Sequence, residues 1–292
     1  MTSTSGGSGG GFGPANLGQI ELARPLKPRA RRGLGSWWAW IIFILGFLYF
    51  FVPLFATFEF SLRTRQPFQA YINTIEDEKF FSTLGYSFLI AIITIIVSLA
   101  IIVPTAYWVR LRMPRLRPFI EFVTLLPFVV PPVVFVFGLI RVFSQRPIQL
   151  AATDFGLTLL LVGAYTVLSF PYMYRAVDTG LSAIDVRSLT EAAQSLGAGW
   201  PRIIFRVIMP NLRVALVSGA FLTLAIVVGE FTIASFLARP AFGPYLSNIG
   251  QNKAYEPAAL SLISFALTWI AMGVISLLGR GTRQRVQVAG AR

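Results

Sequence analysis

The sequence contains no cysteine and no histidine. These two absences exclude disulfides, thiol nucleophiles, thiolate or imidazole metal ligands, and imidazole acid–base catalysis from this chain. Lysine is also scarce, and none of Lys27, Lys79 and Lys253 follows a glycine. A Gly-Lys-Ser/Thr phosphate loop is therefore absent. The chain cannot bind ATP by such a loop, and ATP-driven work would require a partner.

Charged residues are few as well. They make up 13% of the 292 residues, whereas hydrophobic residues make up 55% and the mean hydropathy is +0.69. A soluble domain of this size usually carries about a quarter charged residues. The composition therefore indicates a chain that lies mostly within a lipid bilayer.

Six long stretches with almost no charge predict the fold class. A transmembrane helix needs about 20 apolar residues, and each stretch is about that long or longer. Only the fifth is interrupted, by Glu230. We therefore predict an all-α polytopic membrane protein with six transmembrane helices, the first over 36–60. The stretches lie between Arg32 and Glu59, Lys79 and Arg110, Glu121 and Arg141, Asp154 and Arg175, Arg213 and Arg239, and Glu256 and Arg280.

The distribution of basic residues predicts the orientation. Eighteen of the 25 lysines and arginines lie in the two tails and in the second and fourth loops. By the positive-inside rule these segments, and so both termini, are cytoplasmic. The net charge of +13 then reflects topology and contact with membrane lipid, and we predict no nucleic-acid partner. Residues 1–35, which are Gly/Ser-rich and then basic, are predicted to form a disordered tail rather than a cleaved signal peptide, and 281–292 a second tail.

Two features inside the predicted spans are candidate pathway elements. Pro127, Pro131 and Pro132 remove backbone donors from the third span, which predicts a kink or an unwound turn. Such a kink serves either helix packing or the lining of a translocation path. Glu230 is the one acidic residue well inside a span, where an ionisable group is costly unless it is paired or wetted. It therefore either lines a cavity or pairs with a structural partner.

The fourth loop, residues 182–212, contains a first amphipathic helix. Asp185 is a plausible N-cap and Gly197 a plausible C′ residue, which bound a helix over 186–196. Four residues at i, i+3, i+4 and i+7 form one apolar stripe. The stripe could lie on the bilayer or fill a groove on a partner protein. It consists of Leu189, Ala192, Ala193 and Leu196.

A second short helix is predicted to follow a Gly-rich elbow in the same loop. Pro201 suits its first turn, and Pro210 is predicted to end it. Arg202 and Arg206 lie one turn apart on its polar side. The loop is therefore predicted to consist of two amphipathic helices. The apolar stripe of the second comprises Trp200, Ile203, Ile204, Val207 and Ile208.

The loop resembles the EAA loop of the permease subunits of bacterial binding-protein-dependent ABC importers of type I. That family's pattern is Glu-Ala-Ala, three residues, Gly, nine residues, then Ile-x-Leu-Pro. Here Glu191-Ala192-Ala193 precedes Gly197 with the same spacing, and Val207-Ile208-Met209-Pro210 follows with two conservative departures. The resemblance to the permease core covers roughly residues 80–280, which would contain five of the six transmembrane helices.

The resemblance implies that the loop docks in a cleft of an ATPase subunit. Glu191, Ala192, Ala193 and Gly197 would form the docking core, with Leu189, Leu196 and Pro210 beside them. The implied complex contains two copies of the ATP-binding subunit, a second permease that is identical or homologous, and an extracytoplasmic solute-binding protein. It would lie in the inner membrane of a bacterium. The chain itself would be neither an enzyme nor a cofactor protein, and no metal site is predicted.

The cargo is predicted from a narrower resemblance. The segment from Gly229 to Ala234 is similar to permeases of the spermidine/putrescine group, which predicts a polyamine. The main alternative is a secondary transporter or channel that acts without an ATPase. A membrane-embedded enzyme is a further alternative, but a lone buried carboxylate offers no paired acid–base constellation.

Overall fold

The computed structural model describes residues 35–147 and 149–279, and every regular element in these ranges is helical. The predicted tails lie outside the described residues, apart from Gly35. The chain divides into two compact units, Met1–Phe51 and Val52–Arg292. In the first unit, the described residues belong to an uninterrupted helix with Phe47 and Phe51 stacked one turn apart at 4.2 Å between ring centroids.

Among the described residues, four helices are long and apolar enough to cross a membrane. The count rises to six if each of two bent pairs is one span, namely Pro114–Val129 with Pro132–Phe143 and Trp200–Asn211 with Arg213–Gly229. These four correspond to the predicted first, second, fourth and sixth spans. The predicted all-α polytopic fold is therefore confirmed. The long helices are α1 (Gly35–Ser61), α3 (Glu78–Arg112), α6 (Asp154–Ser182) and α12 (Glu256–Gly279), and the short α2 (Gln69–Glu76) precedes α3.

The third and fifth predicted spans are broken. In the third, α4 (Arg117–Val129) and α5 (Pro132–Phe143) meet at a bend of 98°. In the fifth, the predicted continuous helix is wrong, because α9 (Arg213–Gly229) ends where Glu230 takes an extended conformation. The chain then forms a five-residue helix, α10 (Thr232–Phe236), and α11 (Phe242–Asn252).

The core of the second unit lies where α3, α6 and α9 pack against one another. Small residues bring α6 and α9 close together. A Cβ added at Gly219 would lie 2.7 Å from the sulfur of Met173, and one added at Gly180 would lie 2.6 Å from the Cβ of Ala215. The loop between α6 and α9 joins this core through α7 (Val186–Ser195) and α8 (Trp200–Asn211).

Candidate functional site

Local caps fix both ends of α7. At its start, Asp185 Oδ1 accepts a hydrogen bond from the Ser188 backbone N–H at 3.1 Å, and Oδ2 accepts one from the Ser188 hydroxyl at 2.7 Å. These hydrogen bonds hold the pKa of Asp185 below its ordinary value of 3.8. At its end, Gly197 has φ +75°, and its N–H donates to Gln194 O while the next N–H donates to Ala193 O. This Schellman geometry confirms both predicted caps.

The buried residues of α7 are not the same as the residues of the predicted apolar stripe. The buried positions are Val186, Thr190 and Ala193, while Leu189 is only partly buried. Ala192 is exposed, and Leu196 is 86% exposed. The four residues of the predicted stripe therefore differ in burial, and the buried side of α7 is centred on Val186, Thr190 and Ala193. The physical reason is that the neighbouring helices cover Thr190, whose hydroxyl finds buried partners that a hydrophobicity pattern does not register.

The exposed face of α7 carries the charged part of the motif. Glu191 Oε1 accepts a hydrogen bond from Arg187 Nε at 2.8 Å, and both side chains are largely exposed. Such an i,i+4 pair on a surface contributes little stability. The Glu191 carboxylate is therefore available to a partner at low cost, beside the exposed Ala192 and Leu196.

The second loop helix, α8, is π-helical over Ile203–Ile208. The Met209 N–H donates to Ile204 O, five residues earlier. Pro210 lies in the last turn, and the helix ends one residue later at Asn211, close to the predicted end. Since proline lacks an N–H and its ring collides with the carbonyl four residues before it, the wider turn relieves the collision. Phe205 lies outside the predicted stripe and is 67% exposed.

The loop is attached to the C-terminal end of α3, a contact that no local sequence pattern predicts. The Tyr107 hydroxyl lies 2.9 Å from Thr190 Oγ1. The Trp200 ring packs edge-on against Tyr107 and tilted against Trp108, with the Arg112 guanidinium 5.7 Å from the centre of the same ring. Tyr107 lies within an apolar stretch, where nothing local marks it as a partner of the loop.

The three predicted pathway prolines lie at the bend between α4 and α5. Pro127 is inside α4, Pro131 is the N-cap of α5, and Pro132 is its first residue. The predicted kink is confirmed. A role of these prolines in lining a pathway stays a prediction.

Glu230 has protein partners for both carboxylate oxygens. The Ile233 N–H donates to Oε1 and Oε2 at 2.9 and 3.0 Å, and the Ala234 N–H donates to Oε2 at 3.2 Å. The Tyr165 hydroxyl on α6 donates to Oε2 at 2.9 Å. The carboxylate therefore caps α10 and ties it to α6, which favours the structural alternative. A position for Glu230 on a pathway stays a prediction.

A largely apolar groove of about 680 Å³ lies between α4, α6 and α9. Its polar lining includes Arg175, which makes no hydrogen bond or ion pair with any described residue. A smaller groove of about 410 Å³ contains Asp178, which binds Arg117 at 2.7 Å and lies 3.6 Å from Arg110. Asp178 is thus neutralised, whereas Arg175 offers a free positive charge to the larger groove.

Several known proteins resemble this chain. Residues 101–284 match a family described as binding-protein-dependent transport system inner membrane component. A probable molybdenum ABC transporter permease protein of Haloferax volcanii is 30% identical over 256 residues, which cover 83% of this chain and 89% of that protein. A putrescine transport system permease protein of Escherichia coli is 24% identical over 268 residues, covering 86% and 94%.

A solved structure has a similar fold. It is the crystal structure of a bacterial ABC transporter involved in the import of the acidic polysaccharide alginate. Its chain is 20% identical, with a TM-score of 0.60, and the match covers 87% of this chain and 99% of that one. At this identity the likeness concerns the fold alone.

Proposed function

Since this chain belongs to the family of binding-protein-dependent transport system inner membrane components and is a permease subunit of an ABC importer, we propose that α7 and α8 couple it to a separate ATPase. The observation that carries this proposal is the exposed face of α7. Leu196 is 86% exposed on a helix whose ends are fixed by caps, directly before the left-handed Gly197. A rigid helix with one protruding apolar side chain suits a groove on a partner protein.

The proposed complex follows from this assignment. Two ATPase subunits bind the loops of two permeases, the second permease being identical or homologous, and a solute-binding protein delivers cargo from the other side. The chain spans the cell membrane several times with both termini in the cytoplasm. ATP hydrolysis belongs to the ATPase subunits, and this chain provides the translocation path, with the bend at Pro127, Pro131 and Pro132 as a candidate lining.

For the cargo, we propose an oxyanion of the molybdate class. The relative at 30% identity is described as a probable molybdenum permease. Arg175 offers a positive charge to the large groove, and a positive charge favours anions. Glu230 supplies little attraction for a polycation, because its carboxylate already accepts hydrogen bonds from Tyr165 and two backbone N–H groups. The predicted polyamine cargo remains the second candidate, favoured by the likeness to a putrescine permease over 86% of the chain.

The test of coupling is Leu196→Asp in the full complex. Burial of a leucine side chain contributes about 1.5–3 kcal/mol. We therefore expect its loss to weaken ATPase binding by about 10- to 100-fold. Leu196→Met is the matched control, because it keeps an apolar side chain of similar size. We expect co-purification with the ATPase and ATP-driven uptake to be lost in the first variant and retained in the second.

Two results would contradict the proposal. One is full ATPase binding by Leu196→Asp. The other is uptake by the purified chain alone in proteoliposomes without an ATPase, which would favour a secondary transporter or channel. Uptake of radiolabelled molybdate and of radiolabelled putrescine by the same vesicles separates the two cargo candidates.

A further inference from the structure

One helix, α3, has contacts with the cytoplasmic loop at one end and with the α10–α11 segment at the other. Its inner contact is made by Tyr107, which is 0% exposed, and Thr190, which is 4% exposed. The Thr190 hydroxyl donates to Val186 O at 2.7 Å, so it accepts the hydrogen bond from Tyr107 at 2.9 Å. A buried hydroxyl pair of this kind is costly to separate, because each group would lose its partner away from water.

A second contact strengthens the same end. The Trp200 ring, at the start of α8, lies 5.9 Å from the Tyr107 ring and 6.0 Å from the Trp108 ring between centroids. The Arg112 guanidinium lies over the Trp200 ring at 5.7 Å. Edge-on aromatic and cation–π contacts favour specific geometries. Both helices of the loop are therefore attached to the last two turns of α3.

The body of α3 is long enough to connect the two sides of a membrane. It is one helix of 35 residues, uninterrupted at Pro104. At about 1.5 Å per residue its length is roughly 52 Å, well above the hydrocarbon thickness of about 30 Å. A displacement of its inner end therefore reaches its outer end without passing through a loop.

The outer end of α3 holds α11. The Phe242 N–H, at the start of α11, donates to the buried Ser87 Oγ at 2.8 Å. The Tyr245 hydroxyl donates to Asp77 Oδ2 at 2.8 Å, and Asp77 also caps α3 through the Lys79 N–H at 2.9 Å. α11 in turn packs against the break after α9, where Gly243 lies close to the backbone of Glu230.

We propose that α3 transmits the movement of the α7–α8 loop to the α10–α11 segment, with Tyr107 as the inner attachment and Ser87 as the outer one. The proposal rests on the proposed function, since it needs an ATPase that moves the loop. The loop cannot shift against α3 without breaking the buried hydrogen bond at Tyr107 and the contacts of Trp200. The response of the α10–α11 segment to a change at Tyr107 is the direct measure of this coupling.

The absence of cysteine from the chain allows a direct measurement. Asn248→Cys on the exposed side of α11 provides a single reporter in the full complex with its ATPases and second permease, whose own cysteines are replaced. The maleimide labelling rate is measured in proteoliposomes with ATP and vanadate and without nucleotide. We expect the two rates to differ when Tyr107 is present.

The key comparison is Tyr107→Phe against Tyr174→Phe in this reporter background. Tyr174 is a buried tyrosine of the same hydrophobic cluster whose hydroxyl makes no hydrogen bond with any described residue. Removal of the Tyr107 hydroxyl is expected to reduce the nucleotide-dependent rate ratio by about fivefold, the worth of one net hydrogen bond. Tyr174→Phe is expected to leave the ratio unchanged. ATPase co-purification should be normal in both variants, which a merely unfolded variant would not show.

Ser87→Ala tests the same link at its outer end, far from the loop. It is expected to reduce the rate ratio with ATPase binding unchanged, and it serves if Tyr107→Phe does not assemble. The inference is overturned if either assembled variant keeps a labelling-rate ratio within about twofold of the parent's. A twofold change is smaller than the effect expected from one hydrogen bond. A parent complex that binds no ATPase would instead overturn the proposed function.

Discussion

Replacement of Glu230 by glutamine tests whether this carboxylate holds α10 in place against α6. Its two oxygens accept hydrogen bonds from the N–H groups of Ile233 and Ala234 and from the hydroxyl of Tyr165. Glutamine keeps one acceptor oxygen and directs an NH₂ group toward donors. At least one hydrogen bond to a charged group is lost, which costs about 1.5–3 kcal/mol.

The assay is thermal unfolding of the purified chain in detergent, followed through its tryptophan fluorescence. For a chain of this size about 1 kcal/mol shifts the midpoint by roughly 2–4 °C, so we expect a loss of about 3–12 °C for Glu230→Gln. Tyr165→Phe removes another partner of the same carboxylate and should have an effect of similar size. The double variant should lose less than the sum of the two, because both changes remove one network.

Uptake by the assembled complex separates the two interpretations of Glu230. If its role is structural, uptake per correctly folded complex stays near normal in Glu230→Gln and only the yield of folded complex falls. The structural reasoning is refuted if the unfolding midpoint is unchanged while uptake is lost. That result would assign the carboxylate to the translocation path instead.

Two further predictions concern α11 and the N-terminal end of α3. Gly243→Ala should destabilise the chain by about 1–3 kcal/mol, because the added Cβ would lie 2.9 Å from the carbonyl carbon of Glu230, a backbone atom that cannot move aside. Gly250→Ala on the same helix meets nothing within 4 Å and should stabilise the chain slightly, by about 0.4–1 kcal/mol, because alanine has less backbone freedom to lose on folding. Burial raises the pKa of Asp77. Hydrogen bonds from Tyr245 and a backbone N–H, together with two nearby lysines, lower it by more, so the net pKa lies below 3.8. The stabilisation by this carboxylate is therefore present above pH 3.8 and lost as the pH falls through the lower folded pKa. Asp77→Asn should unfold earlier than the parent at neutral pH and converge with it in acid, whereas a difference that is constant with pH would contradict the assignment.

Local rules were sufficient wherever the determining residues are close in sequence. The caps of α7 follow from the identity of Asp185 and Gly197, because each satisfies backbone groups within a few residues of itself. The bend between α4 and α5 follows from Pro131 and Pro132. The long helices follow from uncharged stretches of sufficient length. None of these features depends on a distant part of the chain.

The features that local rules missed depend on residues far apart in sequence. The hydroxyl of Tyr107 and that of Thr190 are 83 residues apart, and their pairing decides which face of α7 is buried. The carboxylate of Glu230 and the hydroxyl of Tyr165 are 65 residues apart, and their pairing determines that an acidic group inside a span is satisfied by the protein itself. Hydrophobic periodicity counts threonine and tyrosine as weak signals, so it did not identify Thr190 as a buried contact of α7.

The position of that stripe has a functional consequence. An α-helix turns about 100° per residue, so Thr190 and Leu196 project from different sides of α7. Thr190 is buried and attached to α3, whereas Glu191 and Leu196 are both exposed. A substitution on the exposed side should therefore abolish ATPase binding without loosening α3. The loss of the Tyr107 hydroxyl should loosen the attachment to α3 and leave ATPase binding intact. Docking and transmission are then separable by single substitutions, which would not be so if all the apolar residues of α7 faced the partner.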